Sequence, residues 1–367
     1  MVFKRITILL MSIILVVCSA TLTACKKSNE NNVTLQDILL EGYITQFAIG
    51  EDFSVGDLKV LAKYSDETVK AVDDYQIDST QYNKDTKGEY TIVCHYTENG
   101  LTKSKEYKVS VGDKNLKILM IGNSFAVDTI WLVPEIAKNY MFDELEFGVL
   151  SFAGCSIQQH YEHSQTGEAV YEFLYYKDGD WIHKYDNELK SMEFGIKFKD
   201  WNIITLQNNS PQSGRTESYG AELTNLITYV KNTATNPDMK LVWNMPWAYT
   251  DSDLIRAHGY LSQIDMYNSI VNAVQMKIVP NSDFTTIIPT GTAVQNARSS
   301  VLGDVVNRDG LHLNTFGRYM TAMTMFCSLT GYSVDDIIYV PSELDAKKVQ
   351  ISKESVKNAL KDRYAIT

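Results

Sequence analysis

The sequence predicts a small all-β sandwich followed by a larger α/β domain whose parallel sheet is covered by helices on both faces. Three observations carry this. Between residues 33 and 112 apolar residues alternate along short runs, Leu58, Val60, Ala62 and Tyr64 in one and Tyr90, Ile92, Cys94 and Tyr96 in another, the period of strands with one buried face. Beyond residue 115 continuous apolar runs alternate with stretches of helical period, as buried parallel strands and their connecting helices do. The 367 residues exceed one typical domain, and a hydrophobic fraction of 44% supplies a sizeable core.

The chain opens with Lys4 and Arg5, an apolar stretch from Ile6 to Val17, and Leu22-Thr23-Ala24-Cys25. Charge and hydrophobic length predict a secretory signal peptide over residues 1–24, too short for a permanent membrane span. Its end resembles a bacterial lipoprotein lipobox, which implies lipidation at Cys25 and an extracytoplasmic protein anchored to the bacterial cell membrane. Residues 25–32 are polar after the cysteine and predict a flexible tether. The formal net charge of −11 disfavours nucleic acid as a partner. Cys94 and Cys327 sit in apolar runs and are expected to be buried thiols.

Over residues 33–112 the signals Ser65-Asp66, Lys87-Gly88 and Asn99-Gly100 divide the alternating runs, and Asn99-Gly100 is a strong hairpin signal. The stretch Gly88-Glu89-Tyr90-Thr91-Ile92-Val93-Cys94-His95-Tyr96, with a last strand ending Val109-Ser110-Val111, resembles bacterial immunoglobulin-like domains of cell-surface proteins. His95 alternates away from Cys94 and reads as a solvated strand residue.

The domain over residues 115–367 reads as strands at 117–121, 146–151, 202–206, 240–245 and 285–289, with helices near 129–140, 218–232, 260–277 and 315–330. Residues 158–200, dense in aromatics, read as an insertion that packs its rings into a core of its own, with a hairpin turn at Lys177-Asp178-Gly179-Asp180. A final helix with Val356, Leu360 and Tyr364 on one face is expected to pack on this domain.

Chemistry collects at the strand ends. The run 117–121 stops at Gly122-Asn123-Ser124, where a serine stands at the carboxyl edge of a sheet, the place of ligand crevices in open α/β folds. Taken alone, Asn123 or Ser124 reads more readily as a helix cap than as a catalytic residue. Gly154 follows the second strand, Gln207-Asn208-Asn209-Ser210 follows the third, and Asp309-Gly310-Leu311-His312 precedes the last long helix. A serine hydroxyl needs an adjacent base to become a nucleophile, an imidazole has the pKa for it, and a carboxylate orients the ring. An oxyanion needs donors, which the backbone N–H groups of Ser124 and Gly154 and a nearby amide supply.

These residues resemble the SGNH (GDSL-like) hydrolases, and in detail a branch catalogued as a domain of unknown function. The resemblance implies a three-layer, flavodoxin-like α/β/α sandwich with Ser124 as nucleophile, His312 as base, Asp309 as its orienting acid and Gly154 as an oxyanion donor. The third block departs from the family pattern Leu-Gly-x-Asn-Asp, so the remaining oxyanion donor is Asn209, Asn208 or Gln207. His160 and His163 read as solvated, and their spacing does not suggest a metal site. Asp128 and Asn244 read as supporting groups, and Arg298 as structural.

The expected function is a surface-anchored serine esterase that removes O-acetyl or other short acyl groups from carbohydrate without cofactor or metal. The altered third block supports an alternative, a non-catalytic glycan-binding or adhesion lipoprotein on the same scaffold.

Overall fold

The computed structural model describes residues 33–367; the expected leader at 1–24, Cys25 and the tether at 25–32 lie outside them. The first part folds into strands Leu35–Glu41 (β1), Gln46–Phe47 (β2), Lys59–Tyr64 (β3), Val69–Val72 (β4), Tyr75–Asp78 (β5), Gly88–Glu98 (β6) and Leu101–Val111 (β7). They form two sheets, β1-β3-β4 and β2-β7-β6-β5. Glu98 pairs with Leu101 across Asn99 and Gly100, whose φ angles of 51° and 79° are those of a tight hairpin turn matched to strand twist. Between the sheets Leu35, Ile38, Val60, Ala62, Cys94 and Tyr96 form the core, so the alternating residues do face inward.

The second part is built on Asn115–Gly122 (β8), Glu144–Ser151 (β9), Glu172–Lys177 (β10), Asp180–Ile182 (β11), Ile203–Leu206 (β12), Lys240–Asn244 (β13) and Phe284–Ile288 (β14). The sheet runs β11-β10-β9-β8-β12-β13-β14. Strands β9, β8, β12, β13 and β14 are parallel neighbours. Taken by order in the chain they stand second, first, third, fourth, fifth, the flavodoxin-like order, with its reversal of winding beside β8.

Its helices are Ser124–Ile130 (α1), Val133–Ala137 (α2), Ile157–Thr166 (α3), Met192–Lys197 (α4), Ser210–Ser213 (α5), Ala221–Thr233 (α6), Ser252–Ala257 (α7), Gln263–Lys277 (α8), Thr290–Arg298 (α9), Thr315–Thr330 (α10) and Ala346–Lys361 (α11). Helices α3, α4 and α6 pack together on one face of the sheet, and α1, α2, α9, α10 and α11 on the other, which makes three layers. The final helix packs on α9 and α10, as its apolar face requires.

Three expectations are corrected. The helix read at 129–140 starts earlier, at Ser124, and breaks after Ile130; α2 restarts with Pro134 in its first turn, where a missing N–H costs nothing. Residues 158–200 are not a separate subdomain. After α3, β10 pairs antiparallel with β9 and extends the main sheet, and Tyr171, Phe173, Tyr175 and Trp181 join the main core. His160 is fully buried, because α3 starts at the Ser156 cap and thereby turns Ile157, His160 and Ser164 inward together. Burial holds its imidazole down at about 3, so the ring is neutral, stacked on Tyr171 with Nδ1 at 2.9 Å from the phenol oxygen.

The sandwich docks against the amino-terminal edge of the large sheet. Lys114, just before β8, is 2% exposed and bonds Glu51 at 2.7 and 2.8 Å and the Tyr332 hydroxyl. The Asp57 N–H reaches the Gly331 carbonyl at 2.9 Å, and a Cβ on Gly56 would stand 1.9 Å from that oxygen, so only glycine allows the approach. Ile44, Phe47 and Val111 belong to the same apolar cluster as the large domain's core.

Candidate active site

Strand β8 ends at Gly122, and Asn123 takes up the capping of α1: its Oδ1 accepts the Phe125 N–H at 3.0 Å. The cap is therefore Asn123, and Ser124 stands at the first helical position with its hydroxyl free to do something else. That hydroxyl lies 2.9 Å from His312 Nε2, and His312 Nδ1 lies 2.8 Å from Asp309 Oδ2. The residues come from positions 188 apart in the chain.

Asp309 Oδ1 accepts the backbone N–H of Leu311 at 2.9 Å and of His312 at 2.6 Å. Partial burial works to raise its pKa, but these amides and the imidazole prevail and hold the carboxyl at about 2. Asp309 is thus a carboxylate at neutral pH, suited to stabilise the ring in its charged form. The neighbouring segment fixes the turn: Thr250 and Asp251 N–H groups donate to the Gly310 carbonyl at 3.0 and 3.1 Å, and Trp247 Nε1 donates to the Leu311 carbonyl at 2.8 Å. Trp247 in turn stacks on Phe125 at 4.0 Å, directly behind Ser124 in the chain.

The candidate donors for an oxyanion stand at three adjacent strand ends. Ser124 follows β8, Gly154 follows β9 and Asn209 follows β12, which are neighbours in the sheet. Among the described residues the N–H groups of Ser124 and Gly154 have no acceptor. Gly154 has φ of +65°, a conformation that a side chain disfavours and that presents its backbone at the surface of the turn.

The three candidate amides separate cleanly. Asn209 Oδ1 caps α5 while Nδ2 donates to the Gly154 carbonyl at 2.8 Å, which leaves a second N–H on the same nitrogen beside Gly154. Gln207 and Asn208 are fully buried. Asn208 Oδ1 accepts from Ile157 and Asn209 N–H, and its Nδ2 donates to Ser218. Gln207 Nε2 donates to Asn123 Oδ1 at 3.0 Å, and its Oε1 accepts from Asn244 Nδ2 at 2.8 Å. Both amides are occupied within the protein, so the expectation that either can reach substrate is corrected, and Asn209 remains the candidate donor.

A buried polar chain thus underlies the serine, from Asn123 through Gln207 and Asn244 to Thr290. Sequence reading placed Asn244 as a supporting group but missed Gln207 and Thr290 in this role; their only signal is a polar residue closing an apolar run. Arg298 is structural, with bonds to Asp304, Asn307 and the Ala248 carbonyl. His163 packs against Phe152. Cys155, behind Gly154, is a buried thiol pushed up to about 12 by burial and is no competing nucleophile.

Residues 117–359 match the family described as Domain of unknown function (DUF4886), and residues 43–111 match the Bacterial Ig-like domain (group 3). A crystal structure of a DUF4886 family protein from Bacteroides uniformis is 30% identical, over 69% of this chain and 98% of that one, with a TM-score of 0.62. A candidate SGNH hydrolase from Slackia heliotrinireducens is similar at 15% identity over 59% of this chain and 100% of that one, with a TM-score of 0.41. A carbohydrate esterase family 3 protein from Talaromyces cellulolyticus is similar at 11% identity over 58% and 96%, with a TM-score of 0.38. No curated protein matches the chain.

Proposed function

We propose that this chain, which belongs to the DUF4886 family, is a serine esterase that removes O-acetyl or other short acyl groups from carbohydrate at the bacterial surface. The observation that carries the reading is the continuous hydrogen-bonded line Ser124–His312–Asp309 beside two backbone N–H groups left without acceptors among the described residues.

In the first half-reaction His312 Nε2 takes the Ser124 Oγ proton as Oγ bonds to the ester carbonyl carbon. The carbonyl oxygen becomes an oxyanion, which the N–H groups of Ser124 and Gly154 and the free N–H of Asn209 Nδ2 stabilise. As the intermediate collapses, the C–O bond to the sugar breaks and His312 returns the proton to the departing sugar oxygen. Water then repeats the sequence: His312 takes its proton, the hydroxide oxygen bonds to the acyl carbon, and Ser124 leaves with the proton restored. Asp309 stays ionised throughout and steadies the imidazolium.

The carbohydrate and the surface location rest on the resemblance and on the expected leader and lipidation at Cys25. The non-catalytic alternative draws its support from the altered third block; Asn209 beside Gly154 supports the catalytic reading instead. Incubation of the soluble protein with a fluorophosphonate probe should label Ser124 and leave Ser124→Ala unlabelled. A folded wild type that stays unlabelled overturns the mechanism. For the substrate, purified protein should release acetate from members of a panel of acetylated glycans; cleavage of p-nitrophenyl esters alone would rule the carbohydrate out.

A further inference from the structure

Asp128 lies one helical turn beyond Ser124 on α1 and is fully buried. A lone carboxylate there would be costly, and this one is saturated with donors. Its Oδ1 accepts from Arg308 Nη1 at 3.0 Å and from Arg318 Nε at 2.8 Å and Nη2 at 2.6 Å. Its Oδ2 accepts from Arg308 Nη1 at 3.1 Å and from the Leu313 backbone N–H at 2.8 Å.

The identity of these donors is what matters. Arg308 immediately precedes Asp309, and Leu313 immediately follows His312. One carboxylate therefore grips both ends of the segment that carries the base and its orienting acid. Arg308 closes the bracket, since its Nη1 also donates to the Leu313 carbonyl and its backbone N–H donates to the His312 carbonyl at 2.9 Å. Arg318 ties the same carboxylate to α10.

We infer that Asp128 is a positioning residue, which clamps the 309–312 segment to the nucleophile's own helix and so sets the Ser124–His312 approach. The inference rests on the serine esterase reading. Its physical point is economy of error: nucleophile and base sit about one turn and one residue from the same anchor, so helix and loop shift together rather than apart. A buried ion cluster that only stabilised the fold would have no reason to hold the two residues flanking the catalytic pair.

The test uses Asp128→Asn and Arg308→Gln, each in the wild-type and His312→Ala backgrounds, with p-nitrophenyl acetate turnover, fluorophosphonate labelling and thermal melts. Asn keeps the shape but presents an N–H where an acceptor is required. For Asp128→Asn, kcat and labelling rate should fall about 100-fold, the scale of an ångström-sized misplacement of reacting groups, with KM little changed. Arg308→Gln, half exposed and cutting one arm of the clamp, should lose about tenfold, and it carries the test if Asp128→Asn does not fold. In the His312→Ala background either change should alter the residual rate by less than about threefold, because the base it positions is gone. Equal losses in both backgrounds, or folded variants that turn over and label like wild type, overturn the clamp while leaving the esterase standing. A folded wild type that neither hydrolyses nor labels sinks the esterase reading and the clamp with it.

Discussion

The two edges of the central sheet are built from the same strands and treat their polar groups in opposite ways. At the amino edge Lys114 is buried under the sandwich with Glu51 and Tyr332 on its ammonium, and glycine backbones meet at Gly56 and Gly331. At the carboxyl edge the N–H groups of Ser124 and Gly154 have no acceptor among the described residues, and the Ser124 hydroxyl lies 2.9 Å from His312 Nε2. Saturated groups resist change and hold domains together; unsaturated, aimed groups are what a transition state can use. The contrast sets the candidate site and the domain-holding contacts at different ends of one sheet, and it can be broken by substitution at either end.

The largest effect is expected at the open edge. Asn209→Ala removes a side-chain donor and should lower kcat about 100- to 1000-fold with little change in KM, as read from ester hydrolysis. Its neighbour provides the control. Asn208→Ala strands the Ile157 and Asn209 N–H groups and should be seen first as a loss of about 2 kcal/mol in denaturant unfolding. If Asn208→Ala were instead the variant with the selective kcat defect, the assignment of the two amides would be reversed.

At the sealed edge Lys114→Met should cost about 3 kcal/mol in unfolding free energy, because Glu51 is left partly buried without its counter-charge. Turnover per folded molecule should be unchanged. A fall in kcat/KM that tracks this substitution would mean that the docked sandwich communicates with the carboxyl edge, and the separation of roles would fail.

His160 sharpens the division, since it lies six residues from Gly154 yet belongs to the stability side. Its folded-state pKa is depressed to about 3, against an ordinary value of 6.5, because burial disfavours the charged ring. The unfolded chain therefore binds a proton first. The contribution is fully present above pH 6.5 and is lost progressively as pH falls from there toward 3. Chemical denaturation at a series of pH values should show His160→Gln less acid-sensitive than wild type between pH 6.5 and 4, by a slope of about one proton. Identical pH slopes for the two proteins would contradict the neutral buried ring.

The layers of the fold were legible because apolar runs and helical periods are local signals, and the residue types of the candidate site were legible because nucleophile, base and acid are chemically distinctive. What was not legible depended on partners far away or on backbone direction. Gln207, Asn208 and Asn209 are three amides in a row, and only the turn after β12, which makes Asn209 a helix cap and buries the other two, separates them. The grip of Asp128 on Arg308 and Arg318 spans 180 and 190 residues and has no local signature. His160 looked like a polar residue at the start of an insertion because its buried face exists only once β10 joins the main sheet. Pro134 did carry a local signal for the break between α1 and α2, as a proline favours the first turn of a helix over its interior.

The smallest effect is expected from aspartate at Asn123, the residue just before Ser124. Its Oδ1 performs both structural tasks, capping α1 through Phe125 and receiving the Gln207 amide, and a carboxylate oxygen would serve each equally well. The difference lies in Nδ2, which donates to the Cys155 carbonyl at the long distance of 3.4 Å. Asp would exchange that weak bond for repulsion between two acceptors, while its charge at the amino end of α1 would be favourable. The two contributions oppose one another and are each small, so Asn123→Asp should hydrolyse p-nitrophenyl acetate within about threefold of wild type. A gain of tenfold or more would show that the position tunes the nucleophile's surroundings rather than its backbone, and would move Asn123 from the saturated interior to the open edge of the comparison.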